Sequence, residues 1–245
     1  MKIGLVLAGG GGKGAYELGV WKALDELKLT KYITVFSGTS IGAFNSVLFA
    51  MNDMKKADEL WEEVTMDKLV PISKSELIKR GIGLYIGGKN LQLAKKFLNY
   101  KLEHGAIAND GAIEVVEKYL DFNKIKENNK ICYAACTKLS DFSAKYFKIN
   151  EFDEETGKKI VLASASLPLI YDCTEVLGEK YIDGGIADNI PIQPVYGENC
   201  NIIIVVLLIL SGVSIGIGSI SVTSYKDSVL NSEAKEVQMA VISQY

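Results

Sequence analysis

The sequence predicts an α/β fold, a three-layer α/β/α sandwich with a mainly parallel central sheet. Two strand-loop-helix units at the start of the chain carry most of that prediction. In the first, an apolar run over residues 3–8 stops at Gly9-Gly10-Gly11-Gly12-Lys13-Gly14 and is followed by a helix-patterned run. In the second, the run 33–37 stops at Gly38-Thr39-Ser40-Ile41-Gly42 and again leads into a helix-patterned run. Strands alternating with helices build a parallel sheet covered on both faces. A length of 245 residues suits one such domain, so residues 1–245 are read as a single unit.

Each element has its own signal. Residues 1–8 resemble a secretion signal, but the apolar stretch is short and runs into four glycines without a small-x-small cleavage site. It reads as the first buried strand. The helix over 15–27 carries Leu18, Trp21, Leu24 and Leu27 at a spacing of three, marking its buried side. The strand 33–37 delivers Ser40, and a helix over 42–51 follows.

Residues 65–109 are the least regular, with basic residues such as Lys74, Lys79 and Arg80 interleaved with Tyr85 and Phe97. A solvated helix face accounts for this segment. The functional alternative is a lid or a contact with anionic lipid. Order returns with a helix over 111–120, strands over 130–137 and 144–149, a helix over 155–164, and a strand over 179–182 that ends at Asp183. Residues 202–225 carry no charged side chain, which raises a membrane span as one reading. The break at Ser211-Gly212 and the alternation over 213–217 favour strand-turn-strand. Leu230, Ala234, Val237 and Val241 predict a closing amphipathic helix.

Composition narrows the function classes. A chain 48% hydrophobic and 23% charged has material for a real core. A net charge of −3, with a pI near 5.4, argues against nucleic acid as the main partner. Cys132, Cys136, Cys173 and Cys200 show no C-x-x-C spacing and sit in apolar surroundings, as buried free thiols do. With one histidine, His104, they leave no obvious zinc site, and no metal or cofactor is expected. The expected compartment is reducing: cytoplasmic, with membrane-surface contact or export without a classical signal peptide as variants.

Three segments can carry chemistry. Consecutive glycine amides at the start of a helix can point at one anion, helped by the positive helix end. One use is an oxyanion hole. The other is dinucleotide binding, since Gly9-x-Gly11-x-x-Gly14 fits G-x-G-x-x-G. That motif expects an acidic residue after the second strand, where this chain has the serine turn instead.

Walker-type binding fails as well, because Gly14 rather than Ser or Thr follows Lys13. The G-x-S-x-G of Gly38, Ser40 and Gly42 suits a nucleophile on a strained turn, and the glycines allow strand and helix to approach. A serine nucleophile needs a base. His104 precedes Asp183 in an irregular stretch, so it does not fit the usual Ser, acid, His order. Asp183, released from crowding by Gly184 and Gly185, is the candidate carboxylate base. Partial burial would lift its pKa towards the working pH.

Together, 9-GGGGKGAY-16, 38-GTSIG-42, 163-ASASLP-168 and 183-DGGIADNIP-191 resemble a bacterial patatin-like phospholipase over roughly residues 1–206. The resemblance implies an α/β/α sandwich and a Ser-Asp dyad that hydrolyses fatty-acyl esters of membrane lipids without metal or cofactor. Ser40 would be the nucleophile and Asp183 the proton acceptor. Gly10, Gly11 and Gly12, with Gly9, Lys13 and Gly14 around them, would supply the oxyanion donors. Lys13 stands where many family members have arginine, and it lacks the bidentate fork. A phospholipid or other fatty-acyl ester is the implied partner, with peripheral membrane contact. The resemblance fades in the C-terminal part, 207–245. The rivals are a nucleotide-binding oxidoreductase and a non-catalytic lipid-binding module.

Overall fold

The strand β1 (Ile3–Leu7) is buried along its whole length because it has parallel neighbours on both edges. On one side lies β2 (Ile33–Thr39), which pairs in turn with β3 (Ile131–Lys138); on the other lies β7 (Ile202–Leu207). These four parallel strands form the middle of the sheet, and antiparallel strands extend it. The strands β4 (Ala144–Lys148) and β6 (Glu179–Asp183) join β3, and β5 (Thr174–Val176) joins β6. At the far side β9 (Gln238–Ser243) pairs with β7, and β8 (Val222–Thr223) with β9. The computed structural model describes residues 1–64, 110–168 and 170–208, with the segments 222–223 and 238–243.

Strand alternation divides the core between two faces. Ile3, Leu5, Leu7 and Phe36 point into the larger cluster, and Val6, Val35, Ile203 and Val205 into the smaller. The larger face packs α1 (Gly14–Glu26), α2 (Ile41–Ala50) and α3 (Met54–Glu63), followed by α4 (Asp110–Tyr119), α5 (Phe122–Glu127) and α6 (Glu154–Ser164). On the opposite face, among the described residues, the short helix α7 (Gln193–Gly197) buries Val195. The α/β class and the helix-flanked sheet agree with the sequence. Trp21 fastens the first layer: its ring stacks on Phe49 at 5.2 Å and tilts against Phe36 at 5.7 Å.

Several local expectations change. Leu27 is 68% exposed rather than buried, because α1 stops one residue earlier and the chain turns away. Cys132, Cys136 and Cys200 are buried free thiols, whereas Cys173 is only half-buried. The closing helix is replaced over residues 238–243 by β9, which places Val241 opposite Ile204. Without β9 the outer edge of β7 would present unpaired backbone groups, and pairing them outranks a helical stripe in a β-branched segment. The strand reading of the apolar tail holds at Ile202–Leu207 and Val222–Thr223. Residues 209–221, Leu230, Ala234 and Val237 lie outside the described residues, as do 65–109 and His104. Among the described residues no helix is long and apolar enough to cross a membrane.

Candidate active site

Strand β3 brings the two distant motifs together. One of its edges pairs first with β2, where Thr39 lies opposite Ala135. On the next residue of the same edge, Cys136 lies opposite Asp183 of β6. The other edge is occupied by β4, which pairs with both Ala135 and Cys136. The end of β2 and the end of β6 therefore meet on consecutive residues of one strand. Ser40, immediately after Thr39, sits beside Asp183.

Ser40 turns the chain from β2 into α2 at φ +55°, ψ −124°. That region is strained for a residue with a Cβ, by about 1–3 kcal/mol, and three close approaches hold it. A Cβ at Gly38 would collide with the Gly42 carbonyl, one at Gly42 with the Leu7 carbonyl, and one at Gly184 with the Ala135 carbonyl. Although Ser40 occupies the N-cap position, its side chain makes no capping bond. Its backbone N–H donates to Ser164 Oγ at 2.9 Å, and Ser164 Oγ donates to the Ala135 carbonyl at 2.6 Å. The buried Ser164 thus ties the turn to β3.

Asp183 is 4% exposed. Burial pushes its carboxyl up to about 6, against hydrogen bonds from the Ser40 side chain and the Gly185 amide that favour the charged form. The Gly185 N–H donates to Asp183 Oδ1 at 2.7 Å. The main chain of Asp183 is held on both sides: its N–H donates to the Ser166 carbonyl at 2.9 Å, and its carbonyl accepts from Thr137 Oγ1 at 2.8 Å. Thr39 Oγ1 donates to the Asp188 carbonyl at 2.9 Å, which binds the following loop to the serine turn.

The glycine loop arrives from β1. The Gly9 N–H donates to the Asn189 carbonyl at 3.3 Å, and Asn189 Nδ2 donates back to the Gly9 carbonyl at 3.2 Å. Gly11–Lys13 form a single 3-10 turn that uses the amides of Lys13 and Gly14. Among the described residues, the amides of Gly10, Gly11 and Gly12 donate to no protein acceptor. Gly11 adopts φ +58°, which favours glycine. Lys13 Nζ donates to the Leu208 carbonyl at 3.3 Å and so fastens the loop to the end of β7.

Ser40 and Gly11 open onto an apolar cavity of about 130 Å³ walled by Phe44, Trp61, Val115 and Leu162. Its walls come from α2, α3, α4 and α6, so the cavity exists only once these helices pack on the sheet. A serine, a buried carboxyl group near neutral pKa, three spare amides and an apolar slot can together perform acyl transfer to water. Sequence reasoning assigned no role to Ser164, Thr39, Thr137 or Asn189. Thr39, Ser164 and Asn189 stand inside the motifs given above, and that is the signal the sequence offers for them. Thr137 is the penultimate residue of β3 and carries no distinguishing pattern.

A family profile described as patatin-like phospholipase matches residues 5–196. Lysophospholipase nte1 of Aspergillus terreus is 27% identical over 208 residues, covering 83% of this chain and 12% of the fungal protein. Lysophospholipase NTE1 of Candida glabrata is 28% identical over 215 residues, covering 83% of this chain and 10% of its relative. The chain therefore corresponds to a small part of these relatives. Among solved structures, VipD from Legionella pneumophila aligns with 22% identity and a TM-score of 0.49, covering 78% of this chain and 47% of that one. The type III effector protein ExoU aligns with 17% identity and a TM-score of 0.40, covering 71% and 42%.

Proposed function

This chain belongs to the patatin-like phospholipase family, and from that premise we propose that it is a serine lipid acyl hydrolase of the phospholipase A or lysophospholipase type. The observation that carries the reading is the pairing of a strained Ser40 with the buried carboxyl group of Asp183 at the mouth of an apolar cavity.

In this reading the acyl chain of a membrane lipid occupies the cavity and its ester carbonyl lies over Ser40. Asp183 accepts the hydroxyl proton as Ser40 Oγ bonds to the carbonyl carbon. The amides of Gly10, Gly11 and Gly12 hold the developing oxyanion. The intermediate collapses, the leaving alcohol takes the proton from Asp183, and an acyl-serine remains. Water then attacks, losing its proton to Asp183; as the acid departs, the proton returns to Ser40. The substrate lies in a lipid surface, so peripheral membrane contact belongs to the same proposal.

The dyad is tested by intact mass after treatment with a fluorophosphonate, which requires an activated hydroxyl. The wild type is expected to gain one adduct, and Ser40→Ala none, with turnover of a p-nitrophenyl ester lost. His104→Ala is expected to label and turn over like the wild type. Loss of labelling in that histidine variant would replace the dyad with a triad.

The pH profile gives a second test. Asp183 must be ionised to accept a proton, and its carboxyl titrates at about 6. The value of kcat/KM is expected to fall about tenfold per unit below that pH and to level off above it. An acid limb centred near pH 4 would remove Asp183 as the base.

A further inference from the structure

Behind the glycine loop lies a polar cluster that the mechanism above does not use. Asn45, on the second turn of α2, is wholly buried and makes three hydrogen bonds. Its Nδ2 donates to the Gly14 carbonyl at 3.0 Å and to Glu17 Oε2 at 2.7 Å, while its Oδ1 accepts from Trp61 Nε1 at 3.1 Å. Two acceptors on one side and a donor on the other fix the orientation of the amide.

Each partner belongs to a different part of the site. Gly14 ends the glycine loop and begins α1, Trp61 forms a wall of the cavity, and Ser40 begins the helix that carries Asn45. Trp61 also packs directly on the loop, since a Cβ at Gly14 would lie 2.8 Å from its ring.

The cluster is poorly explained as a source of stability. Glu17 is fully buried, and its Oε1 has no hydrogen-bond partner among the described residues. Burial holds its carboxyl well above the usual carboxylate range, opposed by the Asn45 bond. Apolar groups of similar volume commonly serve a core as well as or better than such a buried ionisable group. What they cannot supply is a directed donor for the Gly14 carbonyl.

We propose that Asn45 is a positioning residue that holds the exit of the glycine loop and the Trp61 wall of the cavity in one register with Ser40. The assignment rests on the acyl hydrolase reading, because the register matters only if the loop amides receive an oxyanion. Glu17 orients the Asn45 amide, and Trp61 transmits the seating of an acyl chain to the loop. Displacing a reacting group by about 1 Å can lower a rate about 10²-fold, so the effect belongs in kcat.

The experiment compares Asn45→Leu, Asn45→Asp and Glu17→Gln in the full chain. Steady-state kinetics on p-nitrophenyl dodecanoate and fluorophosphonate labelling per folded molecule are measured below each unfolding midpoint. Both Asn45 variants are expected to lose about 10²-fold in kcat, with KM changed by less than about threefold and labelling slowed in parallel. Glu17→Gln leaves an acceptor for Asn45 and is expected to keep kcat within about threefold of wild type.

Where the leucine variant does not fold, the near-isosteric aspartate variant carries the test. A folded Asn45 variant with wild-type kcat, or a defect confined to KM, overturns the proposal, as does failure of both variants to fold. A wild-type chain that neither hydrolyses the ester nor labels overturns the hydrolase reading first, and this assignment with it.

Discussion

Asp183→Asn is expected to abolish turnover while making the folded chain more stable at neutral pH. The loss of rate follows from removing the proposed proton acceptor, and general bases contribute about 10²–10⁴-fold. The gain in stability follows from the carboxyl group's titration. In the unfolded chain an aspartate ionises near its ordinary value of 3.8, whereas burial in the folded state raises this to about 6. A raised acid contributes stability that is fully present below the unfolded pKa and is lost as pH rises through the folded one.

At pH 7 the folded state therefore carries a penalty of roughly 3 kcal/mol, at about 1.4 kcal/mol per pKa unit. Asparagine carries none, and its carbonyl can still accept from the Gly185 N–H that now bonds Asp183 Oδ1. Denaturant unfolding is expected to show Asp183→Asn about 1–3 kcal/mol more stable than wild type at pH 7, with most of the difference gone by pH 4. Equal stability at both pH values would mean that the carboxyl group is not held at a penalty. Retained turnover would mean that another group is the base.

The second large effect is expected at Gly42, although the proposed chemistry gives this residue no catalytic role. It lies where α2 leaves the serine turn and crosses β1, and an added Cβ would run into the Leu7 carbonyl. Main chain cannot move aside as the end of a flexible side chain can. Gly42→Ala therefore has to push α2 off the sheet or distort β1. Overpacking of this kind costs about 1–3 kcal/mol in side-chain cores and more where backbone is struck, against a total stability of about 5–15 kcal/mol.

Gly42→Ala is expected to lose at least about 3 kcal/mol and, where it folds, to label slowly with a fluorophosphonate because Ser40 is displaced. Gly19→Ala is the control. Gly19 lies inside α1 and an added Cβ meets nothing within 4 Å, so alanine there should stabilise by about 0.5–1 kcal/mol. A Gly42→Ala protein as stable and as reactive as wild type would refute the close-packing account of the turn.

The parts of this protein legible in its sequence are those set by neighbours along the chain. The glycine loop follows β1 at once, and the serine turn joins β2 to α2, so local patterning and glycine chemistry suffice to find them. Helix caps were equally available. Asp53, Asp121 and Asp153 each accept from backbone N–H groups two or three residues on, yet the apolar stripes of α3 and α5 are too short to predict those helices.

Tertiary structure decided what depends on long-range pairing. Residues 238–243 form a strand because β7 has an open edge, a fact absent from their own pattern. Burial of Glu17 and its bond to Asn45 depend on how α1 packs across α2. The cavity beside Ser40 belongs to four helices at once.

Residue types and order along the chain thus single out the serine, the carboxylate and the amide-rich loop as candidates by themselves. Only the fold decided that Thr39 and Asp183 sit opposite consecutive residues of β3, which brings the serine beside its carboxyl group. The physical reason is that sheet register and burial depend on contacts between segments far apart along the chain, and no local pattern encodes those.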